Sequence, residues 1–190
     1  MPVKKVCVFC ASSTDCDEIF FKEAEKLGKS LAHAEYEIIY GGGKVGLMGA
    51  VATSALSEGG KITGVVPSFL QSLGNYGITE LRVVKNLAER KSIMLNESDC
   101  IVALPGGVGT LDEILEAITW KLLGLINSPI YIININNFFN PLLEMLEKTI
   151  SEKFMNERYR SLWTVVTSAE EFLYDINKTL PLYQRTSNLA

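Results

Sequence analysis

The chain has 190 residues, of which 47% are hydrophobic, and a formal net charge of −4. This length suits one domain with a sizeable core, and the composition excludes a disordered chain. The negative charge excludes non-specific binding to nucleic acid or to anionic membranes, which requires a basic surface. No apolar run reaches the roughly 18 residues of a membrane span and no signal peptide is visible, so we expect a cytoplasmic protein.

Short apolar runs alternate with segments of helical spacing along the whole chain. In chain order the sequence predicts strand 3–9, helix 17–33, strand 37–40, helix 47–56, strand 61–66, a mobile loop 68–79, strand 81–84, helix 87–97, strand 100–104, a long helix opening at Thr110, strand 130–135, helix 141–153 begun by Asn140, and two closing segments, 162–167 and 170–176. The long helix is expected to bury Leu111, Leu115, Ile118, Leu122 and Leu125.

Apolar strands separated by helices predict an α/β fold with a doubly wound, mostly parallel sheet and helices on both faces. We expect a single domain over residues 1–180 and a flexible tail over residues 181–190. The right-handed crossover rule places the ligand crevice of such a fold at the carboxyl ends of the strands.

Cys7 and Cys10 form a CxxC pair, which could indicate redox chemistry or metal binding. Along a strand and its edge, however, an offset of three residues directs the two side chains to opposite faces. Zinc requires more ligands, and His33 is the only histidine in the sequence. We therefore interpret the cysteines as buried structural thiols and expect no metal.

The loops that should meet at the carboxyl edge of the sheet span residues 10–14, 41–46 and 105–110. The second matches GxGxxG through Gly41, Gly43 and Gly46. A nicotinamide site would also place an acid near the end of the next strand, and that strand runs into Pro67 without one. A P-loop is excluded because Lys44 is followed by valine and the glycine spacing differs.

Chain turns alone do not explain why two glycine-rich loops lie at the same edge of the sheet. Glycine lets backbone N–H groups approach an anion closely, and each helix N-terminus adds a partial positive charge. Ser12 and Ser13 of the first loop could add hydroxyl donors. The pattern therefore indicates a phosphate site.

Glu113 follows the third loop, and two interpretations of it stay open. Its spacing matches a capping box with Thr110 at the N-cap, and Asp112 would favour the helix dipole. Alternatively, Glu113 faces the anomeric carbon of a nucleotide whose phosphate is held by the neighbouring amides. A carboxylate there would stabilise an oxocarbenium-like sugar and orient or activate water, as hydrolysis of an N-glycosidic bond requires.

Arg90 is the candidate for the cation that assists departure of the base. On its predicted helix it shares a face with Met94 and Glu97. The alternative is a surface arginine paired with Glu97 or another acid, and spacing alone leaves both readings open.

Three segments together resemble the LOG, or Lonely Guy, family of cytokinin riboside 5′-monophosphate phosphoribohydrolases, which are often mislabelled as lysine decarboxylases. The segments are GGGKVGLMGAVA at residues 41–52, ERKSIM at residues 89–94 and PGGVGTLDE at residues 105–113. This combination is far more specific than any one motif, and the similarity runs from about residue 3 to about residue 135.

The resemblance implies a Rossmann-like homodimer with its active site near the dimer interface and with no metal or organic cofactor. It implies that Arg90 and Glu113 are the essential pair. The substrate would be an N6-modified AMP such as the isopentenyl form, with plain AMP a common weaker one. The residues it assigns to the nucleotide pocket and phosphate loop are Lys91, Met94, Gly106, Gly107, Gly109 and Thr110, with Gly42 and Gly43 nearby.

The sequence departs from the family at two places. Residues 10–13 lack the usual glycine before the serines, and residues 86–89 lack the usual methionine and histidine. Both departures bear on the identity of the base rather than on hydrolysis. A decarboxylase would need a Schiff-base lysine for pyridoxal phosphate, and no motif marks one. The remaining alternatives are a non-catalytic carrier of a nucleotide or a phosphorylated cofactor such as molybdenum cofactor, then a dehydrogenase, then a structural interaction protein.

Overall fold

The computed structural model describes residues 5–187, with side chains through residue 179. The strands are β1 (Lys5–Phe9), β2 (Glu37–Tyr40), β3 (Ile62–Pro67), β4 (Glu80–Val84), β5 (Cys100–Ala103), β6 (Ile130–Ile133) and β7 (Trp163–Val166). The α-helices are α1 (Glu18–His33), α2 (Gly46–Ser57), α3 (Leu87–Asn96), α4 (Val108–Leu122), α5 (Asn140–Ser151) and α6 (Ala169–Ser187). Short 3₁₀ helices span Ser68–Leu73, Ile135–Asn137 and Glu157–Leu162. No helix among residues 5–187 is both long and apolar enough to cross a membrane.

The described strands form one sheet in the order β4-β3-β2-β1-β5-β6-β7. Every pairing between neighbours is parallel. The chain winds outward from β1 to β4, crosses back to β5 beside β1, and then winds outward to β7. The α/β prediction is confirmed, and the sheet expected to be mostly parallel is parallel throughout the described residues. This reversal opens a crevice at the carboxyl ends of β1 and β5.

Helices cover both faces of the sheet, and the alternation of side chains along β1 separates the two cores. Val6 and Val8 pack on the face covered by α1, α2 and α6. Cys7 and Phe9 pack on the face covered by α3, α4 and α5. Cys10 lies on the first face, so the two thiols of the CxxC pair are buried on opposite sides of the sheet and are free. The interpretation as buried thiols is confirmed for this pair.

The segment 68–79 is more regular than the sequence predicts. It begins with the 3₁₀ helix, and its next turn is bonded to the second glycine loop. Gly74 forms an antiparallel bridge with Gly43, and the Asn75 N–H donates to the Gly42 carbonyl at 2.8 Å. A single 3₁₀ stretch is too short to show a period, which is why the sequence pattern missed it. Mobility of this segment stays a prediction.

Helix α4 turns a different face to the core from the one predicted. Its buried residues are Thr110, Glu113, Ile114, Ala117 and Ile118. Of the five leucine and isoleucine positions expected inside, Ile118 is buried, whereas Leu115 and Leu125 are 41% and 60% exposed. Apolar residues occur around much of this segment, so periodicity alone could not select the buried face. Trp120 also packs partly against the core.

Two further expectations concern the C-terminal third. Helix α5 begins at Asn140 itself with Phe139 at the N-cap, so the predicted cap is wrong. Asn134 instead binds this turn, since its Oδ1 accepts from the Phe139 N–H at 2.8 Å. The predicted flexible tail starts inside α6, which continues to Ser187. Residues 188–190 lie outside the described chain, and flexibility of the tail stays a prediction.

Candidate active site

The three predicted loops converge where β1 and β5 end. The Ala11 N–H donates to the Pro105 carbonyl at 3.2 Å, which joins the first loop to the third. The Met48 N–H donates to the Ala11 carbonyl at 3.2 Å, which joins α2 to the first loop. Gly46 has φ +63, and a Cβ there would stand 2.6 Å from the Ser12 carbonyl oxygen. Only glycine allows this approach, so the spacing of the second loop has a structural cause.

A cavity of about 510 Å³ opens at this junction, within the usual size range for small-molecule sites. The predicted residues that line it are Ser12, Gly43, Arg90, Gly107, Gly109, Thr110 and Glu113. An apolar wall that the sequence reasoning missed is formed by Met48, Val66, Pro67, Leu70 and Leu73. Val66 and Pro67 end β3 at the predicted crevice, and Leu70 and Leu73 follow in the 3₁₀ helix, so their position after an apolar strand was the available signal. Lys44 and Gly41 of the second loop also line the cavity.

Arg90 and Glu113 form a buried ion pair at the base of the cavity. The Arg90 Nη2 donates to the Glu113 Oε1 at 2.9 Å, and the side chains are 14% and 11% exposed. The alternative pairing of Arg90 with Glu97 is wrong, because Glu97 instead binds Arg82 at 2.7 Å. The chain therefore brings together, from α3 and α4 on one face of the sheet, the two residues singled out for chemistry.

The environment of Glu113 favours a carboxyl group that exchanges protons near neutrality. Burial raises the pKa of Glu113 to about 7, and the Asp112 charge also raises it, while the Arg90 guanidinium opposes the rise. A charged carboxylate loses hydration in this position, and one arginine does not fully replace it. A pKa close to the working pH is typical of a general acid or base.

The second glycine loop makes room for Arg90. A Cβ on Gly41 would lie 2.2 Å from the Arg90 Nη2, so any side chain at this position displaces the guanidinium. The Arg90 Nε is buried and has no hydrogen-bond partner among the described residues. A buried donor left unpaired costs about 1–3 kcal/mol, and such groups are few in native proteins.

The start of α3 is fixed by a reciprocal cap that the sequence reasoning did not identify. The Glu89 N–H donates to the Asn86 Oδ1 at 2.9 Å, and the Glu89 Oε2 accepts from the Lys85 N–H at 2.8 Å. Arg90 follows directly, at the beginning of the second helical turn. Residues 86–89, which depart from the family pattern, thus help to set the position of Arg90.

Helix α4 begins three residues earlier than the capping-box prediction requires. Gly107 occupies the N-cap without a side-chain hydrogen bond, and no acidic residue lies in the first turn. The capping-box interpretation of Thr110 and Glu113 is therefore wrong, because Glu113 lies in the second turn and points inward. The backbone N–H groups of the first turn border the cavity at Gly107, Val108 and Gly109, where they can bind an anion.

Five predicted site residues lie outside the cavity lining, and two of them belong to α3. Met94 is 0% exposed and packs in the core between α3 and the sheet. Lys91 turns toward α4, where its Nζ pairs with Asp112 at 2.9 Å and with Glu116. Lys91 directly follows Arg90 on the helix, so its side chain points in a different direction. Met94 shares a face with Arg90 but lies one turn further along α3, where it packs in the core instead of lining the cavity.

The other three are Ser13, Gly42 and Gly106, which shape the loops from outside the cavity. Ser13 is exposed and accepts from the Asp15 N–H at 3.4 Å. Gly42 is buried with φ +76, facing the Val66 side chain. A Cβ on Gly106 would stand 2.1 Å from the Thr110 Oγ1, so this glycine lets the Thr110 side chain pack beneath the loop. Among residues 5–187, no group of three or more His, Cys, Asp or Glu side chains is arranged to hold a metal ion.

These features define a Rossmann-like α/β protein with an arginine–carboxylate pair at the switch point of its sheet. A family model described as possible lysine decarboxylase matches residues 48–176. The chain is 34% identical over 188 residues to the cytokinin riboside 5′-monophosphate phosphoribohydrolase LOG1 of Arabidopsis thaliana, covering 97% of this chain and 88% of that one. It is 38% identical over 161 residues to the cytokinin riboside 5′-monophosphate phosphoribohydrolase of Rhodococcoides fascians, covering 83% and 81%.

The chain belongs to the LOG family, as its three motifs predict. The prediction of an enzyme is confirmed at the level of the family, since these relatives are phosphoribohydrolases, which hydrolyse N-glycosyl bonds of nucleotides. Among solved structures, the molybdenum cofactor carrier protein of Chlamydomonas reinhardtii is similar, with a TM-score of 0.74, 21% identity, and coverage of 94% of this chain and 99% of that one. At this identity the likeness shows a shared fold.

Proposed function

We propose that the protein hydrolyses the N-glycosidic bond of AMP and of N6-modified AMP, releasing the free base and ribose 5-phosphate. The observation that carries the proposal is the buried Arg90–Glu113 pair, which faces a cavity bordered by the open N-terminus of α4. A carboxyl group with a pKa near 7 beside an anion-binding helix N-terminus is suited to acid–base catalysis on a sugar phosphate.

The N-terminus of α4 binds the 5′-phosphate through backbone N–H groups of residues 107–109, which places the ribose toward Glu113. As the bond between C1′ and the base nitrogen breaks, its electron pair leaves with the base and positive charge develops on the sugar. The Glu113 carboxylate stabilises that charge and accepts a proton from water as the water oxygen bonds to C1′. Arg90 holds the carboxylate in position and supplies positive charge for the departing base. The base takes up the proton that Glu113 accepted from water, which returns Glu113 to its ionised form.

The apolar wall of the cavity supports a base that carries an apolar substituent. Leu70 and Leu73 come from the 3₁₀ helix, and Met48 and Val66 from the elements beside the second loop. The first and third loops, with the N-terminus of α4, supply the polar lining, so the phosphate and an N6-isopentenyl group contact different residues of the cavity. Burying such a group contributes about 25 cal/mol for each Å² of apolar surface removed from water. We therefore expect isopentenyl-AMP to be preferred over AMP.

The homodimer implied by the family resemblance is part of the proposal. Leu115, Leu123 and Leu125 are exposed on α4 and on the turn that follows it, at 41%, 63% and 60%. Their exposure supports burial against a second copy. Light scattering coupled to size exclusion should give twice the mass of one chain, and a monomer would contradict this part. The cytoplasmic location stays a prediction from the sequence.

The family description also names a lysine decarboxylase, a reaction that requires pyridoxal phosphate. That cofactor needs a lysine for the Schiff base and a carboxylate for its ring nitrogen. Among the described residues, Lys44 is the lysine that lines the cavity, and it is exposed in a glycine loop. Glu113 is bound to Arg90. The residues do not fit pyridoxal phosphate, and we assign no step of the reaction to it.

The proposal is tested by incubating the purified protein with AMP and with isopentenyl-AMP and measuring free base and ribose 5-phosphate by chromatography. Glu113→Gln removes the charge while keeping the shape and should lower kcat by at least about 100-fold. Glu147→Gln is the matched control, since Glu147 also pairs with an arginine but lies on α5 at the surface. Nucleotide binding without turnover by the wild type would contradict the proposal and favour the carrier alternative.

A further inference from the structure

The cavity contains two cations, and only one of them is neutralised by the protein. Its lining side chains of the Lys, Arg, Asp and Glu types are Arg90, Glu113 and Lys44. Arg90 and Glu113 pair with each other, so together they contribute no net charge when both are ionised. Within the described chain, Lys44 makes no ion pair and no side-chain hydrogen bond. The cavity therefore has one unassigned positive charge.

The backbone that carries Lys44 is fixed, although its side chain is exposed. The preceding carbonyl, that of Gly43, accepts from the Tyr40 hydroxyl at 3.0 Å. Gly43 is also held by its bridge to Gly74. On the other side, a Cβ on Gly49 would stand 2.5 Å from the Lys44 carbonyl oxygen, so this carbonyl lies directly against α2. A flexible cationic side chain thus projects from a rigid loop at the cavity.

A nucleotide substrate brings a phosphate with about −1.5 to −2 charges into a cavity that already holds the Glu113 carboxylate. The helix terminus of α4 offsets only about half a charge. Without another cation, the phosphate would raise the pKa of Glu113 further and weaken binding of the substrate. Lysine acts as a compact point charge on a flexible stem, which suits a ligand that enters from solvent.

Resting on the proposed function, we propose that Lys44 is a substrate-binding residue that neutralises the 5′-phosphate and makes the site prefer nucleoside monophosphates over nucleosides. The N–H groups of α4 bind the phosphate from one side, and the Lys44 ammonium closes over it from the second glycine loop. This assigns to the second loop a role in charge recognition in addition to its role in making room for Arg90.

The test measures equilibrium binding of AMP and of adenosine by calorimetry, with catalysis blocked by Glu113→Gln. In that background Lys44→Met should raise the Kd for AMP about tenfold and leave the Kd for adenosine unchanged. Lys44→Arg should restore most of the AMP affinity. Lys61→Met is the matched control, because Lys61 is an exposed lysine that precedes β3 at the opposite edge of the sheet. Lys61→Met should bind AMP and adenosine with the same Kd values as the Glu113→Gln parent.

Kinetics with the Glu113 side chain restored separate this inference from the function on which it rests. Lys44→Met should raise KM for AMP with kcat within about twofold. An active wild type whose Lys44→Met variant keeps the parent Kd for AMP, or loses AMP and adenosine equally, overturns the role of Lys44 alone. A wild type that binds AMP through Lys44 but releases no base overturns the proposed hydrolysis alone. If neither the wild type nor the Glu113→Gln variant binds AMP, both the role of Lys44 and the proposed hydrolysis are overturned.

Discussion

The raised pKa of Glu113 leads to a specific prediction for the pH dependence of hydrolysis. If the ionised carboxylate acts as the base, activity must fall when the group takes up a proton. Burial moves its pKa from an ordinary value of 4.5 to about 7. The limb of the pH profile that reports Glu113 should therefore lie near neutrality rather than near pH 4.5.

The size of the effect follows from that displacement. Ionisation of Glu113 costs about 3 kcal/mol more in the folded protein than in water. With a pKa of about 7, roughly a tenth of the molecules carry the charged base at pH 6 and roughly nine tenths at pH 8. Below pH 7, kcat/KM, which reports the free enzyme, should thus decrease about tenfold for each unit of pH.

The assay is steady-state hydrolysis of AMP from pH 5 to 9 at constant ionic strength and at AMP concentrations well below KM, so that the rate gives kcat/KM. The AMP phosphate has its own ionisation near pH 6, so a matched variant is needed. Asp112 raises the pKa of Glu113, and Asp112→Asn should therefore move the limb to lower pH. The substrate's own ionisation is the same with either protein and does not move. A limb that stays in place in the variant, or a flat profile between pH 5.5 and 8.5, would refute the reasoning.

Three further perturbations have outcomes that the structure specifies. Gly41→Ala should lower kcat by about 100-fold, because its Cβ would lie 2.2 Å from the Arg90 guanidinium and move it off Glu113. Leu70→Ser should reduce the preference for isopentenyl-AMP over AMP about tenfold, by removing apolar surface from the cavity wall. In urea unfolding, the free energy of unfolding of Glu113→Gln should rise relative to that of the wild type by up to about 3 kcal/mol between pH 4.5 and 8. The folded wild type keeps its proton up to about pH 7, so its stability is full below pH 4.5 and falls as the pH rises.

Each of these outcomes has a control and a contrary result. Gly77→Ala meets nothing closer than 3.5 Å and should keep wild-type activity, whereas an active Gly41→Ala would show that Arg90 need not stay in place. Phe69→Ser changes an exposed residue of the same 3₁₀ helix that does not line the cavity, and it should leave the substrate ratio unchanged. An equal fall for both nucleotides in Leu70→Ser would instead indicate general disruption. A pH-independent stability difference for Glu113→Gln would contradict the raised pKa.

The fold class could be predicted because its signal is repeated along the chain. The central strands are mostly apolar, and every crossover except the one from β3 to β4 carries a helical segment long enough to recognise. The convergence of the three loops followed from topology, since parallel strands end at one edge. The selection of Arg90 and Glu113 followed from the motifs, and their pairing was within reach because both lie close to β5 in the chain.

The parts that could not be predicted depend on rotation and packing rather than on pattern. The sequence could not show that α4 begins at Val108, because a glycine N-cap without a side-chain bond carries no distinctive residue. That start fixes the direction of every α4 side chain, and it turns Glu113 inward and Leu115 outward. The same limit applies to α3, where Lys91 was assigned to the pocket but braces α4. The 3₁₀ helix that supplies Leu70 is too short to have a detectable period.

The position of the cavity-lining residues along the chain has a consequence for how the protein can change over evolutionary time. Among the described residues, all that line the cavity fall between Cys10 and Glu113. The elements from β6 to α6 form one end of the strand order and its covering helices, and they contribute no cavity-lining side chain in the described range. Natural selection on the cavity lining therefore acts on the first three-fifths of the chain, while the remainder has to preserve packing and the exposed leucines of the proposed dimer contact. Homologous sequences should diverge fastest there, and fusions or insertions should be accepted there first.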